Sequence, residues 1–214
     1  MLKAIIFDYD GVIVDSFISV FEVYEKICKR FDVAYPKTLE EFRKLYGYNY
    51  KELQKNLGID EKDADEVGKI FSVEIVKKKH GTFLGIVDVI KELSHKYKIF
   101  LVSAAMSAEI LPRIEEFGLK NVFEKFYCGW DQKIKKSDLM KSIFSEYNYT
   151  PDELVAIGDR AIDYDAAKTA GFNDNHLIMV NYGWGLDKKA IGQALVAETP
   201  HDIVGLVQFI DKNN

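Results

Sequence analysis

Cysteines, basic residues in excess and long apolar runs are all scarce in this chain, and each shortage removes a class of protein. Cys28 and Cys128 are the only cysteines and lack metal-ligand spacing. They read as small packed thiols suited to a reducing cytoplasm, with a bridge between them left open. Lys and Arg number 29 against 34 Asp and Glu, a net charge of −5, without any long basic run. Binding to the phosphate backbone of a nucleic acid is therefore not the expected activity. No apolar stretch approaches the roughly 18 residues of a membrane span. The longest apolar run before the aspartates arrive is Ala4 to Phe7, so the N-terminus does not read as a signal peptide. Repeats and low-complexity tracts are also missing. The expectation is a cytoplasmic protein with no membrane or nucleic-acid partner.

What is present begins with residues 4–16, AIIFDYDGVIVDS. A short apolar run, the pattern of a buried strand, ends directly in Asp8 and Asp10. Burying a carboxylate is costly unless it is paired or bound to a cation, so this placement needs a reason. Three more apolar runs, residues 99–103, 154–158 and 176–180, are short, mostly unalternating and β-branched. Such runs suit strands covered on both faces in a parallel sheet. Helical patterns lie between them, at 87–93, 110–117, 139–147 and 164–170, the last ending at Gly171 as a C-cap. This alternation predicts an α/β fold built on a doubly wound, Rossmann-like parallel sheet.

Residues 16–80 break the alternation. Phe17, Val20, Phe21, Tyr24, Ile27 and Phe31 recur at helical spacing, and Thr38 with Glu41 has the form of a capping box. Helical pattern continues from Tyr50 to Lys79. The expected organisation is an α/β domain of residues 1–15 and 81–214, with an inserted all-α domain at 16–80. Asp15 and Ser16 form the outgoing connection and residues 81–85 the return.

Ligands of open parallel sheets bind beyond the carboxyl ends of the strands. The first predicted strand ends in Asp8 and Asp10, which share a face because they are two residues apart. The next ends in Ser103, followed by the small residues Ala104 and Ala105, and another ends in Gly158 and Asp159, with Asp163 four residues on. Lys136 precedes a helical pattern between the last two strands. Four acids, a hydroxyl and an ammonium at one sheet edge suit Mg²⁺ and a phosphate.

D-x-D-G-x-x-x-D-S after a strand, then a strand ending in Ser, a lone Lys and G-D-x-x-x-D together resemble the haloacid dehalogenase superfamily. The helical insertion is similar to its C1 caps, and the tail with residues 180–186 and 198–203 resembles the phosphoglycolate phosphatase branch. The resemblance implies catalytic roles for Asp8, as nucleophile, and Asp10, as acid and then base. It implies Mg²⁺ on Asp8, the main-chain carbonyl of Asp10, Asp159 and Asp163. Ser103, the Ala104 N–H and Lys136 would hold the phosphate. Val12 stands in place of the usual threonine, Ala104 in place of a frequent asparagine, and Ser137 follows Lys136 in place of a frequent proline. With Lys133 and Lys135 nearby, Lys136 is chosen by its spacing to the following helix.

The implied activity is Mg²⁺-dependent hydrolysis of a small phosphomonoester, 2-phosphoglycolate among the candidates, through an aspartyl phosphate. A sugar-phosphate mutase of β-phosphoglucomutase type shares every motif. A dehalogenase is disfavoured by Asp10, and a receiver-like signalling module by Asp10 and the insertion. The partner is a small phosphorylated metabolite, and monomer and homodimer both stay open. Residues 46–50, YGYNY, place a glycine among aromatics between helical patterns. Tyr48 and Tyr50, with Arg43 and Lys44, are the candidates for selecting the substrate. The four histidines lack ligand spacing and read as packing or surface residues. Trp184, between two glycines, reads as a packing residue of a loop.

Overall fold

All four residues of the first apolar run are buried, and the two layers that cover them explain why. Ile5 and Phe7 point into one apolar cluster, Ala4 and Ile6 into another on the opposite face. A strand sandwiched in this way has no polar face, hence no alternation. The computed structural model describes residues 1–214, apart from the side chain of Gln132.

In chain order, β1 (Ala4–Phe7) leads into β2 (Val14–Asp15) and the helices α1 (Phe17–Arg30), α2 (Leu39–Tyr46), α3 (Tyr50–Asn56) and α4 (Ala64–Ile75). After β3 (Gly81–Thr82) come α5 (Ile86–Ser94), β4 (Lys98–Ser103), α6 (Ser107–Glu116), β5 (Phe123–Cys128), α7 (Gly129–Gln132) and α8 (Lys136–Tyr147). The chain closes with β6 (Leu154–Gly158), α9 (Ala161–Ala170), β7 (Leu177–Val180), β8 (Leu195–Ala197) and α10 (Asp202–Asn213). Six of these, the short β2, β3 and α7 and the longer β5, β8 and α10, go beyond what the periodicity predicts.

The main sheet has the order β5-β4-β1-β6-β7-β8, and every neighbouring pair is parallel. From β1 the chain winds to β4 and β5 on one side, then returns to β6, β7 and β8 on the other. This is the doubly wound α/β fold the sequence predicts. Helices α5, α6 and α10 supply Ile90, Ile110 and Val207 to one apolar layer; α8 and α9 supply Ile143 and Ala167 to the other. In register, Phe7 lies opposite both Leu101 and Ile157. The residues that follow these three therefore emerge together at one sheet edge, beside the point where the winding reverses.

The chain divides into two compact units, Met1–Asp15 with Thr82–Asn214, and Ser16–Gly81. The second is all-helical and has its own aromatic core around Phe42, whose ring centroid is 5.6 Å from Phe17, 5.4 Å from Phe21 and 5.9 Å from Tyr24. Thr38 caps α2 by accepting from the Glu41 N–H at 3.2 Å. The reciprocal half of the capping box is displaced, because the Glu41 carboxylate accepts from Lys37 N–H at 2.8 Å. Cys28 and Cys128 are both free and buried. Among the described residues no helix is long and apolar enough to cross a membrane.

Candidate active site

Asp8 extends the β1 ladder by one bond, its N–H donating to Ile157 C=O at 3.0 Å. The chain then turns tightly. Tyr9 C=O accepts from Ile13 and Val14, and Gly11 takes a φ of +77°, a left-handed conformation that glycine adopts without steric cost. The turn separates three side chains by environment. Asp8 is buried at the sheet edge, Tyr9 is fully buried in the apolar layer, and Asp10 is half-buried. Burial, and secondly the Asp10 charge, push the Tyr9 phenol up, so it is a neutral packing group.

Lys136, the first residue of α8, reaches Asp8 Oδ1 at 2.8 Å and Asp163 Oδ1 at 2.6 Å. Its side chain is 12% exposed, whereas Lys133 and Lys135 are exposed. Asp8 Oδ1 also accepts from the Tyr9 N–H at 2.7 Å. Asp163 is the third residue of α9, where a carboxylate can accept the free N–H groups of a helix start. Its Oδ2 takes those of Asp159 at 3.3 Å and Arg160 at 3.1 Å. Asp159, just past β6, is 1% exposed, and its Oδ2 accepts from the Trp184 N–H at 2.8 Å. Ser103, the last residue of β4, is buried and its Oγ accepts from the Ala105 N–H at 3.0 Å. Ala104 beside it is exposed.

Carboxylate oxygens of Asp8, Asp159 and Asp163 lie within 4.8 Å of one another. Burial pushes the Asp8 carboxyl up to about 7, with Lys136 working against that rise and Asp163 adding to it. Asp159 is raised well above the usual carboxylate range by burial and then by the charges of Asp163 and Asp8. Asp163 is lowered, because its bonds to Lys136 outweigh its burial. For Lys136 burial alone would lower the ammonium, but Asp163 and Asp8 together hold it above its ordinary range. One ammonium thus faces three buried carboxyls, and without a further cation Asp8 and Asp159 are the two whose ionisation is disfavoured. Three buried carboxyl oxygens this close, with only one ammonium beside them, fit a hard divalent cation such as Mg²⁺.

A family model described as haloacid dehalogenase-like hydrolase matches residues 5–174, a stretch that begins within β1 and holds every residue of this cluster. The chain belongs to that family. Among curated proteins, this haloacid dehalogenase-like hydrolase is 26% identical to a phosphorylated carbohydrates phosphatase of Thermotoga maritima, over 79% of the chain and 82% of that protein. It is 24% identical to a phosphoglycolate phosphatase of Synechococcus elongatus, over 96% of the chain and 97% of that protein. Two solved structures share the fold. A haloacid dehalogenase-like family hydrolase from Streptococcus pneumoniae superposes with a TM-score of 0.85 at 19% identity, covering 97% of this chain and 99% of that one. CbbY from Rhodobacter sphaeroides, in complex with phosphate, gives 0.75 at 17% identity, covering 97% and 100%.

Asp8, Lys136, Asp159 and Asp163 are thus brought together by direct contacts, while Ser103 and Ala104 lie at the end of the neighbouring strand. The Asp10 side chain is not among the three clustered carboxylates; the family resemblance involves its main-chain carbonyl. The four residues singled out for substrate selection all lie in the helical unit. Arg43 is exposed, with its guanidinium 4.3 Å from the centroid of the Phe17 ring. Lys44 forms an exposed pair with Glu40 at 2.9 Å. Tyr48 is 40% exposed, but Tyr50 is half-buried among Tyr24, Tyr46 and Phe71. Sequence reading missed the main-chain contact of Trp184, since an N–H donor leaves no trace in residue type. It also missed the buried Glu109–Arg113 pair of α6, 3.1 Å apart, because the helical pattern read at 110–117 leaves Glu109 outside.

Proposed function

We propose that this chain is a cytoplasmic, Mg²⁺-dependent phosphatase that hydrolyses a small phosphomonoester through an aspartyl phosphate on Asp8. The observation that carries this reading is the Lys136 ammonium held between Asp8 and Asp163 in a buried site. A cation fixed on a carboxylate lets that anion approach an anionic phosphate. In the first step an Asp8 oxygen attacks phosphorus and the bond to the leaving oxygen breaks. Asp10 gives its proton to the leaving alcohol. In the second step Asp10 takes a proton from water, the water oxygen attacks phosphorus, and the Asp8–phosphorus bond breaks to release inorganic phosphate. Ser103, the Ala104 N–H and Lys136 hold the phosphate oxygens throughout. Asp8, the Asp10 carbonyl, Asp159 and Asp163, directly or through water, would hold Mg²⁺, which supplies Lewis-acid neutralisation of the phosphate charge.

The names of the two curated relatives support 2-phosphoglycolate and phosphorylated sugars as the first substrates to test. The assay is inorganic phosphate release from these and from an aryl phosphate, with Mg²⁺ and with excess chelator. Hydrolysis is expected only with Mg²⁺. Conversion of a sugar phosphate to its isomer without phosphate release would favour the mutase instead. Asp8→Asn should lower turnover by at least about 10³-fold, the scale of losing a covalent catalyst. Retention of a tenth of wild-type turnover would rule Asp8 out as nucleophile.

A further inference from the structure

Asp159 is enclosed more tightly than a metal ligand needs for burial alone. A Cβ added to Gly11 would stand 2.0 Å from Asp159 Oδ2, and one added to Gly183 would stand 2.6 Å from Asp159 Cβ and 2.7 Å from Oδ2. The Gly183 position is also 2.4 Å from the Gly11 carbonyl oxygen, so the two glycines close on the same carboxylate. The next residue, Trp184, then donates its N–H to Asp159 Oδ2 at 2.8 Å. These contacts come from the turn after β1, the end of β6 and the loop between β7 and β8, three segments distant in sequence. The contact itself is made by main chain, while the indole is buried beside it. What it requires is a bare Cα at 183 and an N–H at 184.

Resting on the site reading above, we propose that Gly183 and the Trp184 N–H are positioning groups that lock the rotation of the Asp159 carboxylate. With Oδ2 held by the N–H and wedged between two glycines, Oδ1 is the oxygen presented to a cation. Mg²⁺ demands near-ideal octahedral geometry at short distances, so a carboxylate with fixed rotation binds it without first being ordered. Partners of this kind typically carry 10–100-fold in metal affinity.

The test is isothermal titration calorimetry of the full-length protein, freed of metal, with Mg²⁺. Gly183→Ala must push the loop off Asp159, since the added methyl meets main chain at Gly11. It should weaken Mg²⁺ binding by about 10-fold or more, with the melting temperature in chelator, still above the titration temperature, showing that the chain titrated is folded. Turnover should recover substantially at saturating Mg²⁺, as expected when affinity and not chemistry is lost. Trp184→Phe keeps the N–H and should bind Mg²⁺ within about 3-fold of wild type. Equal Mg²⁺ affinity in wild type and Gly183→Ala would overturn this inference and leave the phosphatase reading standing. Loss of binding in Trp184→Phe would also overturn it, by shifting the role to the indole. A wild-type chain that binds no Mg²⁺ would overturn both. If Gly183→Ala does not fold, amide exchange of wild type decides the matter: the Trp184 N–H should be protected and further slowed by Mg²⁺, and rapid exchange would refute the bond.

Discussion

Lys136 joins two acids that would otherwise repel, since Asp8 and Asp163 both direct Oδ1 at the same ammonium. Lys136→Met would leave two buried carboxylates unpaired, a loss of about 3–5 kcal/mol by the usual cost of breaking a buried pair. Turnover should be lost with it. In urea unfolding without metal, Asp8→Asn combined with Lys136→Met should recover part of that loss, because one of the stranded charges is gone. Strict additivity of the two substitutions would mean that the ion pair contributes nothing. The acids were legible in sequence because the chemistry proposed for them needs fixed spacings, two residues across one strand end and four along one helix start. Lys136 was legible only through its distance from the next helix. Its contacts single it out from Lys133 and Lys135. Gly183 and Trp184 were illegible as positioning groups, since their contact with a residue 25 positions away is made by main chain and by the absence of a side chain.

Elements buried on both faces announce themselves by unbroken apolar runs, and those at the periphery do not. This is why β1, β4, β6 and β7 were readable while β5 and β8, the two edges of the sheet, were not. β5 reads FEKFYC with Glu124 and Lys125 exposed, as an edge strand that discourages pairing with other chains. The last helix, α10, buries Ile203, Val207 and Ile210 but carries Gly205 on its exposed side, and a glycine inside a helical pattern weakens the signal of that helix. Near its end Asp211 accepts from the Leu2 N–H at 2.8 Å, from Lys96 at 2.6 Å and from Tyr97 at 2.9 Å, adding to the packing of Ile203, Val207 and Ile210. Those bonds, Lys96 first, lower the Asp211 carboxyl to about 2 in the folded protein. A carboxyl that is more acidic folded than unfolded contributes stability above its unfolded value. That contribution is lost as pH falls from about 4 towards about 2. Asp211→Asn should therefore be less stable than wild type at pH 7, by about 1–2 kcal/mol for lost bonds to a charged acceptor. In urea unfolding the difference should hold down to about pH 5 and narrow below pH 4. A difference independent of pH would assign the effect to packing and not to charge.

At the scale of the whole molecule, the helical insertion was visible as a lapse in the strand–helix alternation, and the chain crosses between its two compact units only after Asp15 and after Gly81. Every group proposed to hold metal or phosphate lies in the α/β unit. Such groups recognise a phosphate and are indifferent to what it is esterified to. Selectivity must then come from residues that meet the rest of the substrate, and we propose that the helical unit supplies them as a cap. The structure distinguishes two of the tyrosines considered for this role. Tyr50 is a packing residue, nearly parallel to Tyr24 at 6.4 Å and within 5.3 Å of Phe71 between ring centroids. Tyr50→Ala should lower the stability of the helical unit by about 1–3 kcal/mol, read as faster amide exchange across α1 and α4. Tyr48 is 40% exposed, the more open of the two. Tyr48→Ala should lower the melting temperature less than Tyr50→Ala does. It should change the ratio of kcat/KM between 2-phosphoglycolate and a sugar phosphate by several-fold, as losing a contact of about 1–2 kcal/mol would. Hydrolysis of an aryl phosphate, which asks little of the cap, should change less. Equal losses on all three substrates would show that Tyr48 supports turnover generally and does not choose among them.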